Sequence, residues 1–217
     1  MIFPFYWMLK TSFLTDSQAL EMPPKLWFSF PLYFGNYKEV FELAATGRAI
    51  CNSLFIAVVS TFLSIIAGSL AAFTFSKSKV RGRKLLFAIV QIMLLYNAYT
   101  LSVPQYLIFS YLKMIDTYWV YILPAVPSAV NCFLMKQFMD VSVPDALIEA
   151  ARIDGAGVIR IYWKIIMPIM KPAWMTVLLF SFQGMWSAVP NGTVFSEQLK
   201  TLPYVMSSVT AGGIARA

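Results

Sequence analysis

Few residues in this chain can do chemistry inside its long apolar runs, and their types narrow what that chemistry is. Carboxamides within those runs include Gln91, Asn97, Asn131 and Gln183, with Tyr96 and Trp186 close to two of them. Uncharged amides beside aromatic rings can hydrogen-bond and stack a hydroxylated solute. Tyr96, Asn97, Asn131, Gln183 and Trp186 are therefore candidates for lining a translocation path. The competing role for each is an interhelical hydrogen bond or packing contact. Histidine is absent altogether, which removes His-based acid–base chemistry and His-ligated metal sites. Cys51 and Cys132 provide neither a disulfide framework nor a zinc-ligand spacing. No Asp, Glu, Lys or Arg falls inside the uncharged stretches of the predicted spans, Lys136 lying near the end of one, which argues against a proton relay, a voltage sensor or an ion-coupled carboxylate site. The sequence calls for no catalytic residue, no metal and no cofactor.

A second group of residues has spacing that suits contact with another protein. Ser142 and Asp145 stand as in a capping box, and Pro144 falls in a first helical turn, where its missing N–H costs nothing. A short helix is predicted to run to about Asp154. Leu147, Ala150, Ala151 and Asp154 share one face of it, with Asp145, Glu149 and Arg152 on the other. Glu149 and Arg152 have the spacing of a helical ion pair. Gly155 and Gly157 stop the helix and permit a sharp turn. A second amphipathic stretch, residues 158–167, brings Trp163 and Lys164 towards a membrane surface, and Pro168 and Pro172 then break the path. Such a helix–turn–helix can seat its alanine face in a groove of another protein while its charges set the register. Lying flat on a membrane is the alternative, disfavoured by the mixed charges and the lack of large apolar anchors on the first helix.

The elements that position these residues follow from composition and charge. Hydrophobic residues make up 59% of the 217, and charged ones 12%, too few to cover a water-exposed surface of this size. Residues 49–76, 85–112, 117–135 and 172–196 carry no charge, each near or above the ~20 residues a span requires. The expected order is a helix remnant over 1–14, an external loop over 15–48 and a span over 49–76. A basic cytoplasmic loop over 77–84 and a span with an interfacial end beyond Pro104 over 85–112 come next. A span over 117–139, a cytoplasmic loop over 140–171, a span over 172–190 and an external loop and tail over 191–217 complete it. By alternate loops, one side holds ten basic and four acidic residues, the other six and six, so the first is cytoplasmic. Residues 1–9 are apolar and aromatic with no basic stretch before them, which suits the end of a helix beginning upstream better than a signal peptide. The net charge of +7 sits in membrane-flanking loops, which argues against nucleic acid. Ser60, Ser64, Gly68 and Ala72 recur every four residues, a small-residue stripe for close helix approach.

At the cytoplasmic loop the sequence resembles a known family. Glu149-Ala150-Ala151, Asp154-Gly155-Ala156 and Ile165-x-Met167-Pro168 closely resemble the EAA loop of ABC importer permeases, with Met167 where leucine is usual. Residues 4–8, Asn52-Ser53-Leu54 and Thr201-Leu202-Pro203 are similar to the MalG-like carbohydrate-uptake branch. The resemblance implies an all-α polytopic bundle of the type I importer-permease kind. Four full spans and a partial N-terminal one are then present here, with a last family helix expected beyond Ala217. It also implies ATPase coupling through Glu149, Ala150, Ala151, Asp154, Gly155 and Ala156. The implied partners are ABC ATPase subunits, a second permease subunit, an external solute-binding protein, a sugar and the lipid of the cell membrane. No phosphate-binding loop of the Gly-x-x-x-x-Gly-Lys-Ser/Thr kind occurs in the chain, so ATP hydrolysis falls to a partner. A non-sugar solute is the alternative cargo. A secondary transporter is the rival class, although the sequence reveals no broken-helix site of the sort it would use.

Overall fold

In lipid, an uncharged run must satisfy its own backbone hydrogen bonds, and a helix is the local way to do so. The computed structural model describes residues 2–23, 25–28, 30–43, 46–78, 80–96, 98–189 and 192–214, and no strand occurs among them. The chain starts with α1 (Phe3–Thr11), the single turn α2 (Asp16–Ala19) and α3 (Gly35–Leu43). It then enters α4 (Thr46–Lys77), a helix of 32 residues and about 48 Å at 1.5 Å per residue, longer than a ~30 Å hydrocarbon core.

The next uncharged run, 85–112, is divided. Helix α5 (Arg83–Met93) has 11 residues, a 3₁₀ turn covers Ala98–Leu101, and α6 (Ser102–Tyr111) has 10. Pro104 lies in the first turn of α6, where no N–H is needed, so the break falls before it and not after it. The third run is broken as well, into α7 (Trp119–Ala125) and α8 (Ala129–Ser142). The sequence reading foresaw no broken span here. Pro124 and Pro127 each withhold an N–H from the ladder, and Ser128 starts the new helix by accepting the Asn131 amide at 3.3 Å.

A hairpin follows, made of α9 (Asp145–Ile153), α10 (Val158–Ile161), a π-helical turn at Tyr162–Ile166 and α11 (Met167–Ile169). Helix α12 (Lys171–Trp186) leaves this segment at a bend of 78°, with Pro168 and Pro172 flanking the break. Beyond a 3₁₀ turn at Glu197–Leu199, the segment expected to be a polar tail forms α13 (Leu202–Ile214). Among the described residues, Thr46–Lys77 and Trp119–Ser142 are long and apolar enough to cross a membrane, and the bent 158–186 segment makes a third.

Helix α4 is the column on which the rest is stacked, with α8 and α12 lying along it. All four residues of its small stripe, Ser60, Ser64, Gly68 and Ala72, are buried. A side chain at Gly68 would meet Asn131 Cβ at 3.3 Å and the Asn131–Cys132 backbone at 3.6 Å, so glycine sets how near α8 can come. Below this contact, Phe73, Met135, Met139, Ile166, Met170 and Val177 join the main core cluster. Gly68→Leu should overpack this seam at a cost of about 1–3 kcal/mol, read as a lower unfolding temperature of the detergent-purified chain. An unchanged temperature would remove glycine's role in the α4–α8 approach.

Candidate functional site

Helix α9 begins without the expected capping box. Ser142 is the last residue of α8, Pro144 occupies the N-cap with no side-chain hydrogen bond, and Val143 is extended (φ −115°, ψ 97°), the conformation that a following proline imposes. Asp145 instead reaches Lys77 at the end of α4, with 2.8 Å between Nζ and Oδ1. Of the face expected to seat in a partner's groove, all but Ala151 is exposed. Ile148 and Ala151 are buried, while Leu147, Ala150 and Asp154 are exposed along with Glu149 and Arg152. Burial follows Ile148 because the loop packs back on its own core cluster through Ile148, Ala151 and Ala156. The predicted Glu149–Arg152 pair does not form among the described residues.

The exit from α9 is a Schellman turn. The Ala156 N–H donates to Ala151 O (2.9 Å) and the Gly155 N–H to Arg152 O (3.0 Å), with Gly155 at φ +75°. Open space surrounds the position a Gly155 Cβ would take, so the glycine requirement there is backbone conformation and not crowding. The returning arm is then locked to α4. Tyr162, its ring tilted against Phe73 with centroids 5.8 Å apart, shares a hydrogen bond with Ser69 Oγ. Further contacts tie the same end together. Ser76 Oγ and Lys136 Nζ both reach Asp140, and Arg83 donates to the Ser76 (3.2 Å) and Ser78 (2.6 Å) carbonyls that end α4. The six residues singled out for coupling thus sit on one rigidly rooted hairpin, with Glu149, Ala150, Asp154 and Gly155 on its exposed side.

Higher along α4 a polar crevice opens at the α7–α8 break. Asn131 Nδ2 donates to Ser64 Oγ (2.7 Å) and to Ser181 Oγ (2.8 Å), joining α8 to α4 and α12. Around this junction lies a cavity of about 220 Å³, also lined by Ser60, Ser128 and Phe180. Pro124, Ala125, Gly184 and Met185 line it and equally line a larger cavity of about 630 Å³ against α6. Of the four path candidates among the described residues, only Asn131 lines either cavity. Tyr96 is exposed, Gln183 is exposed on another face of α12, and Trp186 stacks on Phe182 at 5.9 Å. Asn97 lies outside the described residues. The sequence reading missed the serines and Tyr121, which hydropathy scores as unremarkable; the proline pair beside Ser128 was the available signal.

Residues 9–199 match the family described as the binding-protein-dependent transport system inner membrane component. The chain belongs to that family. It is 34% identical over 188 residues to Protein LplC of Bacillus subtilis, covering 86% of this chain and 62% of that one. To the melibiose/raffinose/stachyose import permease protein MelC of the same organism it is 30% identical over 208 residues, or 94% of this chain and 74% of the relative. It therefore spans between 62% and 74% of the length of these curated relatives. A crystal structure of a bacterial ABC transporter involved in import of the acidic polysaccharide alginate matches with a TM-score of 0.83 at 22% identity, over 99% of this chain and 79% of that one. That likeness shows the same fold.

In this inner-membrane component, two stretches far apart in sequence meet at the end of α4 opposite the hairpin. Asn52 donates to the carbonyls of Gln198 (2.7 Å) and Lys200 (3.2 Å), and Ser53 Oγ accepts the Leu202 N–H at 2.8 Å. Asp116 holds the same loop by accepting the Phe195 (3.1 Å) and Ser196 (2.9 Å) amides. The Asn52-Ser53-Leu54 and Thr201-Leu202-Pro203 stretches are thus one contact. At the hairpin end, Lys77→Glu should loosen residues 145–157 through repulsion with Asp145, and Lys77→Glu/Asp145→Lys should recover part of it. Hydrogen exchange of those amides reads this. Equal protection in the parent and the single variant would dissolve the ion pair's anchoring role.

Proposed function

We propose that this chain is the membrane-spanning permease subunit of an ATP-binding-cassette importer for carbohydrates. The observation that carries it is the exposed face of α9, with Glu149, Ala150 and Asp154 free for a partner while Ile148 and Ala151 root the helix in the core. Cytoplasmic ATPase subunits receive that face in their groove. Nucleotide-driven closure of the ATPases moves the hairpin, and the Lys77–Asp145 pair and Tyr162–Ser69 bond carry the displacement into α4. Because α4 is packed on α8 and α12, the spans rock as a body between inward- and outward-facing states, each favoured by differential binding of nucleotide and solute. A second permease completes the path, and an external binding protein delivers the sugar. The chain performs no covalent chemistry; its polar crevice, with Asn131 at the centre, forms part of the path. Its relatives support this reading: MelC is a sugar import permease by name, and the alginate transporter shares the fold.

The basic 77–84 loop and the α9 hairpin are cytoplasmic on this reading, and residues near Phe34 external. In a background lacking Cys51 and Cys132, a cysteine at Val80 should resist an impermeant thiol reagent in intact cells while one at Phe34 reacts; labelling at 80 from outside would reverse the topology.

Two substitutions separate docking from transmission. Gly155→Val forces a β-branched residue into the left-handed region, at a cost of about 1 kcal/mol or more, and should misaim α9. Glu149→Lys reverses a charge on the docking face. Both should insert normally and both should lower ATP-dependent sugar uptake about tenfold or more. Co-purification of the ATPase should drop further for Glu149→Lys. Normal uptake and recovery in both would remove coupling from this loop.

A further inference from the structure

We infer that the solute passing this subunit is electrically neutral, a hydroxyl-rich saccharide and not a uronic or phosphorylated one; this rests on the importer reading above. Among the described residues, no Lys, Arg, Asp or Glu lines either cavity. The polar atoms they present are hydroxyls and carboxamides. Ser60, Ser64, Ser128, Asn131 and Ser181 supply them in the smaller cavity, and Gln105, Tyr106, Tyr121 and Thr193 in the larger. An anion held among such groups would lose its hydration with no cation to replace it, whereas a sugar hydroxyl both donates to and accepts from every one of them.

One group is left waiting for such a partner. The Ser60 hydroxyl is fully buried, lines the smaller cavity and makes no hydrogen bond within the chain. A buried polar group left this way is destabilising unless something pairs with it. The Tyr121 hydroxyl repeats the pattern in the larger cavity. It makes no hydrogen bond of good geometry; its neighbour, the Thr201 hydroxyl, donates to Ala188 O at 3.0 Å and leaves Tyr121 at most a weak contact. Tyr106 and Phe109 add ring faces on the α6 wall, suited to the C–H face of a pyranose. Two charges near the outer rim are engaged: Asp116 with backbone amides, Lys200 with Glu197. Alginate, the cargo of the fold relative, is acidic, so shared architecture does not settle cargo charge, and the inference rests on the share of the lining that this chain supplies.

The test is ATP-dependent uptake by the whole importer, reconstituted with its partner subunits and binding protein in ATP-loaded proteoliposomes. The probes are neutral di- and trisaccharides (melibiose, raffinose, maltotriose) and uronates of like length (digalacturonate, trigalacturonate, dimannuronate). Uptake of a neutral sugar with none of the uronates is the expected result. Uptake of a uronate overturns the neutral assignment while leaving the importer reading in place. No uptake of any saccharide sinks the importer reading and the inference with it. For the transported neutral sugar, Ser60→Ala and Tyr121→Phe should each raise KM about three- to tenfold, the worth of one hydrogen bond. Ser60→Ala removes no bond the chain itself makes and Tyr121→Phe at most a weak contact with Thr201, so the complex should still assemble. Unchanged KM in both variants would show that these hydroxyls do not meet the solute and would overturn the inference.

Discussion

Everything in this molecule depends on how close two helices can approach α4. Between apolar helices in lipid the hydrophobic effect supplies little, so association rests on dispersion contacts and on interhelical hydrogen bonds. The stripe of Ser60, Ser64, Gly68 and Ala72 meets both needs. Gly68 lets the backbone of α8 come within van der Waals reach of α4, and the closeness places Asn131 where its amide spans Ser64 and Ser181. Larger residues on that stripe would part the helices and strand the Asn131 amide without partners.

The same helix joins the two regions of interest. Its middle offers Ser60 and Ser64 to the crevice, and its end offers Ser69, Phe73 and Lys77 to the hairpin. Helix α8 runs in parallel, with Asn131 in the crevice and Asp140 among the basal charges. A displacement of the hairpin therefore reaches the crevice through two packed helices without crossing a flexible loop. The breaks at residues 126–128 and at Met170 interrupt helices packed on α4, and each lies beside one of these regions. In the proposed importer those breaks let rigid pieces pivot while the α4 seam stays closed.

The absence of charge in the crevice and its concentration at the two ends have a common physical origin. A charge at mid-span needs a partner to be tolerated, and in this chain several charged groups at the ends are paired with one another or with backbone groups: Lys77 with Asp145, Lys136 with Asp140, Arg83 with the last carbonyls of α4, Asp116 with two amides. The ends are thereby stitched, and the middle is left to hydroxyls and carboxamides.

The sequence by itself determined the helical, membrane-spanning class, the long span at α4, the small-residue stripe, and the hairpin with its glycine stop. Each rests on local information: charge-free length, four-residue spacing, or a left-handed turn that glycine accepts. The bend near Pro168 and Pro172 was legible for the same reason. Only the tertiary structure decided which face of α9 is buried, since Ile148 and Leu147 are equally apolar and the core cluster selects between them. It also cancelled the capping box, because the competing partner for Asp145, Lys77, is 68 residues away. The crevice was the least legible part. Asn131 was found because an amide in an apolar run is conspicuous, whereas Tyr96, Gln183 and Trp186 shared its signal but lie away from the cavities. Ser60, Ser128, Ser181 and Tyr121 become a site only through the convergence of α4, α7, α8 and α12, a geometry that no local spacing encodes.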